Sequence, residues 1–197
     1  MSIPLESILK GSFVCLQPLR VDDAEITFGW RHSDRAKLLN MGAQTLDQQR
    51  SWIASRPESE RNFIITLQSG DPIGMLSLGD IDLVNSRAEP GRFLIGEEEK
   101  VRGIPVAAEA MFLLYQFAFE QCKLRRLFGK VASDNRRMIK WQLFMGMQKE
   151  GCLRQHYFID GHFQDAIIFG LLEEEYRKVA TPRLQAMIKA GHHPAVH

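Results

Sequence analysis

Residues 88–118 read A-E-P-G-R-F-L-I-G-E-E-E-K-V-R-G-I-P-V-A-A-E-A-M-F-L-L-Y-Q-F-A. A short β-prone run, a turn rich in charge and glycine, and a long amphipathic helix follow one another, and this strand-loop-helix order frames the rest of the chain. The first N–H groups of a helix have no partner inside it, so Arg102-Gly103-Ile104-Pro105-Val106-Ala107 can turn several of them toward one pyrophosphate. Gly103 lets the backbone approach closely, and Arg102 adds a planar guanidinium suited to phosphate oxygens. From Val106 onward, Ala107, Ala110, Met111, Leu114, Phe117 and Ala118 recur at three- and four-residue spacing and define one apolar face. On this segment alone, an ordinary strand-loop-helix connection with a surface arginine is the alternative.

Working outward, a chain of 197 residues with 45% hydrophobic content can bury one substantial core. It reads as a single domain over residues 1–176 with a helical or flexible tail over 177–197. The 25 basic and 24 acidic side chains leave a formal net charge of +1, so no global field draws nucleic acid or an anionic membrane, and any anion site is local. Lys123-Leu124-Arg125-Arg126 and Arg136-Arg137 are short clusters that fit a solvated helix end and a phosphate rim. Cys15, Cys122 and Cys152 lack the spacing of a zinc site and the even count of a disulfide framework, which predicts buried thiols in a reducing cytosol. With no leader-like start and no bilayer-length apolar run, the expectation is a soluble cytoplasmic protein. His192, His193 and His197 read as part of a frayed end rather than a metal site, and no metal is expected.

The remaining segments fall into a definite order. Phe13–Pro18 reads as a strand, a helix begins near Asp22 or Asp23 and runs to Trp30, a short helix follows Ser33-Asp34, and another starts at Thr45 with Gln48 as a capping-box pair. Asn62–Leu67 and Ile73–Ile81 form a hairpin around Ser69-Gly70-Asp71-Pro72, and Asn85-Ser86 turns the chain into Ala88–Ile95, completing a three-strand meander. After the long helix come a strand over Arg126–Ala132, a short helix over Arg137–Phe144 closed by Gly146, and a hairpin of Leu153–Ile159 with Phe163–Leu171 around Asp160-Gly161.

This order resembles the GNAT superfamily of N-acetyltransferases over about Phe13 to Tyr176. Arg102–Ala107 sits where that family has its Gln/Arg-x-x-Gly-x-Gly/Ala loop, and Asn135 to Met147 resembles the asparagine segment after the fifth strand. Glu150-Gly151 and Asp160-Gly161-His162-Phe163-Gln164-Asp165 are similar to the signature of the branch that acetylates ribosomal-protein N-termini, polyamines and nucleotide-linked amino sugars. Trp30-Arg31-His32-Ser33 and Arg87-Ala88-Glu89 lean toward the amino-sugar members, although spermidine acetyltransferases share the second string. The resemblance implies an α+β (α/β) fold with a central, mostly antiparallel mixed sheet, a V-shaped opening between the fourth and fifth strands, and helices on both faces.

The resemblance also implies a reaction and a set of residues. Acetyl-CoA as co-substrate would pair with the backbone around Phe93, Leu94 and Ile95, with its pyrophosphate on Arg102, Gly103, Ile104, Val106 and Ala107, and with Asn135, Arg137 and Lys140 near its phosphates. A primary amine of a small molecule, with a nucleotide-linked amino sugar as first choice, would attack directly. Glu89 is the candidate to take its proton and His156 the next, while Trp30, Arg31 and Met41 would line the acceptor pocket. An arginine there suits an anionic acceptor and repels a polyamine. Two departures stand out: Pro105 has no N–H at the second-glycine place, and Gln142 occupies the place of the tyrosine that serves many members as general acid. Polyamine or protein N-terminal acetylation, and a non-catalytic module that binds acyl-CoA or a partner protein, remain as alternatives. A homodimer follows by analogy, with the final apolar hairpin as its contact.

Overall fold

The computed structural model describes residues 8–37, 42–159 and 161–191; Met41, Asp160, His192, His193 and His197 lie outside them. Eight strands form one sheet in the order β1-β2-β3-β4-β5-β6-β8-β7. They are β1 (Leu9–Lys10), β2 (Val14–Pro18), β3 (Arg61–Leu67), β4 (Pro72–Asp82), β5 (Arg87–Ile95), β6 (Arg126–Ala132), β7 (Gln148–Ile159) and β8 (His162–Leu172). Every neighbouring pair is antiparallel except β5 and β6. The helices are α1 (Ala24–Arg31), α2 (Leu46–Ala54), α3 (Val106–Gln116) and α4 (Arg136–Phe144), then α5 (Glu173–Glu175), which runs through a π turn at Tyr176–Ala180 into α6 (Thr181–Gly191).

The strands alternate between two cores, as a period of two requires. Phe63, Ile65, Leu76, Leu78 and Ile95 pack with α3, whereas Ile64, Met75 and Leu94 face the other way and pack with Trp30 of α1. Burial on both faces is why Phe63-Ile64-Ile65 reads as an unbroken apolar run. Helix α3 is buried almost all round because α6 covers the side that the sheet does not. Leu184 and Ile188 of α6 and Tyr176 belong to the same core as α3, so the segment set apart as a tail in the sequence closes the domain.

A buried carboxylate ties α3 to the opening strands. Glu109 accepts the N–H of Ser12 at 2.7 Å, of Phe13 at 2.7 Å and of Val14 at 2.8 Å. Three charge-assisted bonds to one turn fix where β2 starts. Strand β1, two residues long at the sheet edge, carries no periodic signal and was not legible in the sequence. The capping box at α2 is only half formed: Thr45 Oγ1 accepts from the Gln48 N–H at 3.2 Å, but Gln48 Oε1 accepts from Gln44 rather than from Thr45. The thiols are free, yet only Cys122 is buried, which pushes it up to about 11; Cys15 is half-buried and Cys152 exposed, against the expectation of three buried thiols. Among the described residues no helix is long and apolar enough to cross a membrane.

Candidate active site

Strands β5 and β6 pair at Arg87 with Arg126 and at Ala88 with Leu127, and then part. From Glu89 onward the edge of β5 toward β6 is unpaired among the described residues, so that alternate residues between Phe93 and Ile95 leave N–H and C=O groups open on that side. A cleft of about 460 Å³ fills the opening, reaching from Arg31 and Trp52 on one side to Asn135, Trp141 and Gln142 of α4 on the other. Two bulges border it, at Asp80 and Arg92, and a third at Gln155 precedes Tyr157, which lines it. Asp80, Arg92 and Gln155 each adopt a left-handed φ, of 47°, 52° and 51°, where the register of β4, β5 and β7 slips. Such bulges re-aim side chains that a regular ladder would point elsewhere.

Glu89 stands at the apex of the opening. Its carboxylate reaches across to β6, with Oε1 3.9 Å from where a Cβ on Gly129 would stand, an ordinary contact distance. Desolvation raises the Glu89 carboxyl above its ordinary range, aided by the Asp80 charge, while the Lys130 charge, a bond from the Lys130 backbone and the Arg92 charge oppose the shift. Tyr157 lines the same cleft and is itself raised, first by burial and then by the Glu89 charge. His156 does not join them. Inward residues of β7 here are Tyr157 and Ile159, so His156 falls on the opposite side, exposed, with its ring edge-on to Tyr157 at 4.8 Å. A single step of strand alternation separates it from the cleft.

On the acceptor side, Arg31 lines the cleft with its guanidinium against Gly42, whereas Trp30 turns away into the smaller core. The Trp30 indole N–H donates to Glu97 Oε1 at 3.1 Å and its ring lies over Gly96, which makes it a tie between α1 and the end of β5. Met41, the third expected acceptor residue, lies outside the described residues. Arg92 enters the cleft instead, above the Trp52 ring at 5.1 Å and bonded to Ser77 Oγ at 3.2 Å and Glu60 Oε1 at 3.4 Å.

The loop before α3 offers fewer donors than its sequence promised. The Ile104 N–H bonds to the Val101 carbonyl at 3.0 Å and the Val106 N–H to the Ile104 carbonyl at 2.8 Å, so both turn to the chain itself. Gly103, Ala107 and Ala108 keep N–H groups without a partner among the described residues, and Gly103, at φ 80°, has no atom within 4 Å of a would-be Cβ. Arg102 pairs with Glu99, both oxygens at 2.9 Å, and Arg137 reaches Glu98 at 3.6 Å across the mouth of the opening. Asn135 caps α4 by accepting the Met138 N–H at 3.1 Å and also lines the cleft; Lys140 is exposed outside it. Replacing Asn135 with alanine is expected to cost about 1 kcal/mol in a urea titration, since one N-terminal donor of α4 loses its acceptor.

Residues 14–148 match the family described as the acetyltransferase (GNAT) domain. The chain belongs to the GNAT acetyltransferases. Its relatives include an uncharacterized N-acetyltransferase p20 of Bacillus licheniformis, 28% identical over 169 residues, 82% of this chain and 93% of that protein. The spermidine N(1)-acetyltransferase of Escherichia coli K12 is 29% identical over 119 residues, 60% of this chain and 62% of the other. A solved GCN5-related N-acetyltransferase from Brucella melitensis shares the fold at a TM-score of 0.78 and 24% identity, covering 94% of this chain and 87% of that one. A mixed, mostly antiparallel sheet with helices on both faces, opened between β5 and β6, is the GNAT architecture.

The cleft of this GNAT acetyltransferase suits acetyl-CoA on its own observations. Trp141 Nε1 and Gln142 Oε1 are buried without a hydrogen-bond partner, and both residues line the cleft on α4. Buried polar atoms normally find partners, so a donor and an acceptor left open beside a free strand edge fit an amide-containing arm. Sequence reasoning missed Tyr157, Asp80, Trp141 and Arg92 as cleft residues. For Asp80 and Arg92 the reason is the bulges, which no local pattern announces.

Proposed function

We propose that this protein transfers the acetyl group of acetyl-CoA to the primary amine of a small molecule by direct attack, with Glu89 taking the proton. The observation that carries this reading is a desolvated carboxylate at the apex of an opened pair of strands, facing the cleft. Acetyl-CoA supplies the acyl group as an activated thioester. The open N–H and C=O groups from Phe93 to Ile95, with Trp141 Nε1 and Gln142 Oε1, hold its arm, and the Gly103, Ala107 and Ala108 amides hold its diphosphate. Arg102 and Arg137 are held by Glu99 and Glu98 in exposed ion pairs, which are weak enough for either arginine to turn to a phosphate. The amine arrives protonated and cannot attack until Glu89 accepts a proton. Burial weakens Glu89 as an acid and so strengthens it as a base. A backbone N–H near Phe93 or Leu94 is placed to polarise the thioester carbonyl.

The nucleotide-linked amino sugar finds no support among the relatives named above, one of which is named for spermidine. The homodimer would use the outer edge of β7, the last strand of the sheet, where Leu153 and Phe158 are exposed. A CoA titration followed by thermal unfolding tests the cofactor site: an upward Tm shift that grows with ligand is expected, and no shift at millimolar CoA removes the reading. Release of thiol from acetyl-CoA that depends on an added amine tests the reaction. Because Glu89 must be ionised to act and its pKa is raised, kcat/KM is expected to rise with pH on a limb set above the ordinary carboxylate range. A flat profile from pH 5 upward speaks against Glu89 as the base.

A further inference from the structure

The acceptor side of the cleft holds a polar atom that the rest of the fold leaves unused. Gln49 of α2 lines the cleft, although it is only 4% exposed. Its Nε2 donates to Thr27 Oγ1 of α1 at 3.0 Å, in a contact buried on both sides. Thr27 has committed its own proton to the start of α1, where its hydroxyl donates to the Asp23 carbonyl at 2.7 Å and lies 3.2 Å from that of Ala24. A hydroxyl has one proton, so toward Gln49 it can only accept. That fixes the amide. Gln49 must turn its NH₂ group to Thr27 and its carbonyl the other way. Gln49 Oε1 accepts nothing among the described residues, and unlike Gln164 Oε1 it is not sealed from solvent. A buried amide of fixed orientation thus keeps one open acceptor in the wall of the cleft.

The surroundings say what kind of donor suits that oxygen. Trp52, one helical turn further along α2, lines the cleft beside Gln49 and carries Arg56 at 4.2 Å and Arg92 at 5.1 Å over its ring. Glu60 lines the cleft too, but it is shared between those two arginines at 3.4 Å to each. Asp80 belongs to the reacting end, because Gly79 pairs with Glu89 and Asp80 follows it in the β4 bulge. A desolvated ammonium needs a counter-charge, whereas one carbonyl satisfies a hydroxyl proton in full. A cleft of about 460 Å³ must also admit the thioester arm, which favours a compact acceptor.

We propose that Gln49 selects the acceptor, a compact amine that also carries a hydroxyl, with the amine at Glu89 and the hydroxyl donating to Gln49 Oε1. This rests on the acetyl-transfer reading and names its substrate class. A site with a fixed, buried acceptor rejects an analogue that lacks the matching donor, because the carbonyl is then left unpaired. The second ammonium of a polyamine finds a dipole at Gln49 but no counter-charge. Thr27 is a positioning residue, since it reaches the substrate only through the amide it orients.

The test uses the full chain, acetyl-CoA and amines paired by length, each amino alcohol beside the amine with methyl in place of hydroxyl: 2-aminoethanol with propylamine, 3-aminopropan-1-ol with butylamine, and 4-aminobutan-1-ol with pentylamine, plus spermidine. For at least one pair, kcat/KM of the alcohol is expected to exceed that of its methyl partner by about tenfold or more, chiefly through KM. Gln49→Met keeps the length and removes the acceptor, so it is expected to lower that ratio by about the same factor; comparing the two proteins cancels the differing basicities of the amines. Thr27→Val frees the amide to turn and is expected to lose part of the preference, while the CoA thermal shift stays parental. An unchanged ratio in Gln49→Met, or a wild-type preference for the methyl amines or spermidine, overturns the proposal while leaving the acetyl-transfer reading standing. Thiol release with none of the amines overturns the proposal, and joined to no thermal shift from CoA it overturns both. If neither variant folds, the Tm of the wild-type protein with CoA decides: the alcohol must raise it further than its methyl partner does.

Discussion

Glu89→Gln is expected to lower kcat/KM by about 10²–10³-fold, within the range that a positioned general base contributes. Glutamine keeps the size of the side chain and its reach toward Gly129 and Lys130, so the fold and the CoA thermal shift are expected to stay near those of the parent. What it loses is the capacity to accept a proton from an ammonium group. The pH limb set by Glu89 disappears with it, leaving only the deprotonation of the free amine. Steady-state thiol release between pH 5 and 9 reads both effects. A variant with parental kcat/KM and a parental pH profile removes Glu89 from the chemistry and leaves solvent water, or Asp80 beside it, to take the proton.

The second large effect is structural. Glu109→Ala is expected to destabilise the protein by about 3–5 kcal/mol, because three N–H groups at the start of β2 lose one charged acceptor in a place that water does not easily reach. For a domain of this size that corresponds to a fall in Tm of roughly 10–15 °C. Glu109→Gln is expected to fall between parent and alanine variant, since one amide oxygen can serve only part of the turn and the NH₂ group faces further donors. Urea unfolding of the three proteins measures the series. A loss below about 1 kcal/mol in the alanine variant shows that the turn can re-solvate, and that Glu109 does not fix β2. The effect bears on activity only through the fold. Helix α3 carries both Glu109 and the Gly103–Ala108 loop at its N-terminus, so a loosened β2 lets that loop shift.

The order of elements was legible because each carried its own local signature. Phe63-Ile64-Ile65 is apolar on both sides, the loop at Gly70 turns the chain within four residues, and α3 is apolar for three turns. Glu89 was legible too, since its place at the start of β5 follows from the strand that contains it. His156 and Trp30 show the limit. His156 is one residue from Tyr157, which does face the cleft, and the register shift between Leu153 and Tyr157 hides the phase of that strand; Trp30 was named together with Arg31, but neighbouring residues on a helix point in different directions and only Arg31 lines the cleft. The loop before α3 shows another: its glycine and its missing proline N–H were visible, but the bonds that Ile104 and Val106 make to Val101 and Ile104 depend on φ and ψ that the residue types leave open. The C-terminal segment looked separable because its charge dominates its composition, yet Leu184 and Ile188 are spaced to lie on α3.

By itself the sequence determined the family, the succession of strands and helices, and the carboxylate at the opening, because local propensity and short-range pattern act along the chain. Only the tertiary structure decided which guanidiniums line the cleft, which amides before and at the start of α3 stay unbonded, and that Tyr157 rather than His156 lines the cleft with Glu89. Those depend on three bulges and on where β5 and β6 cease to pair, which are set by contacts between residues far apart in sequence.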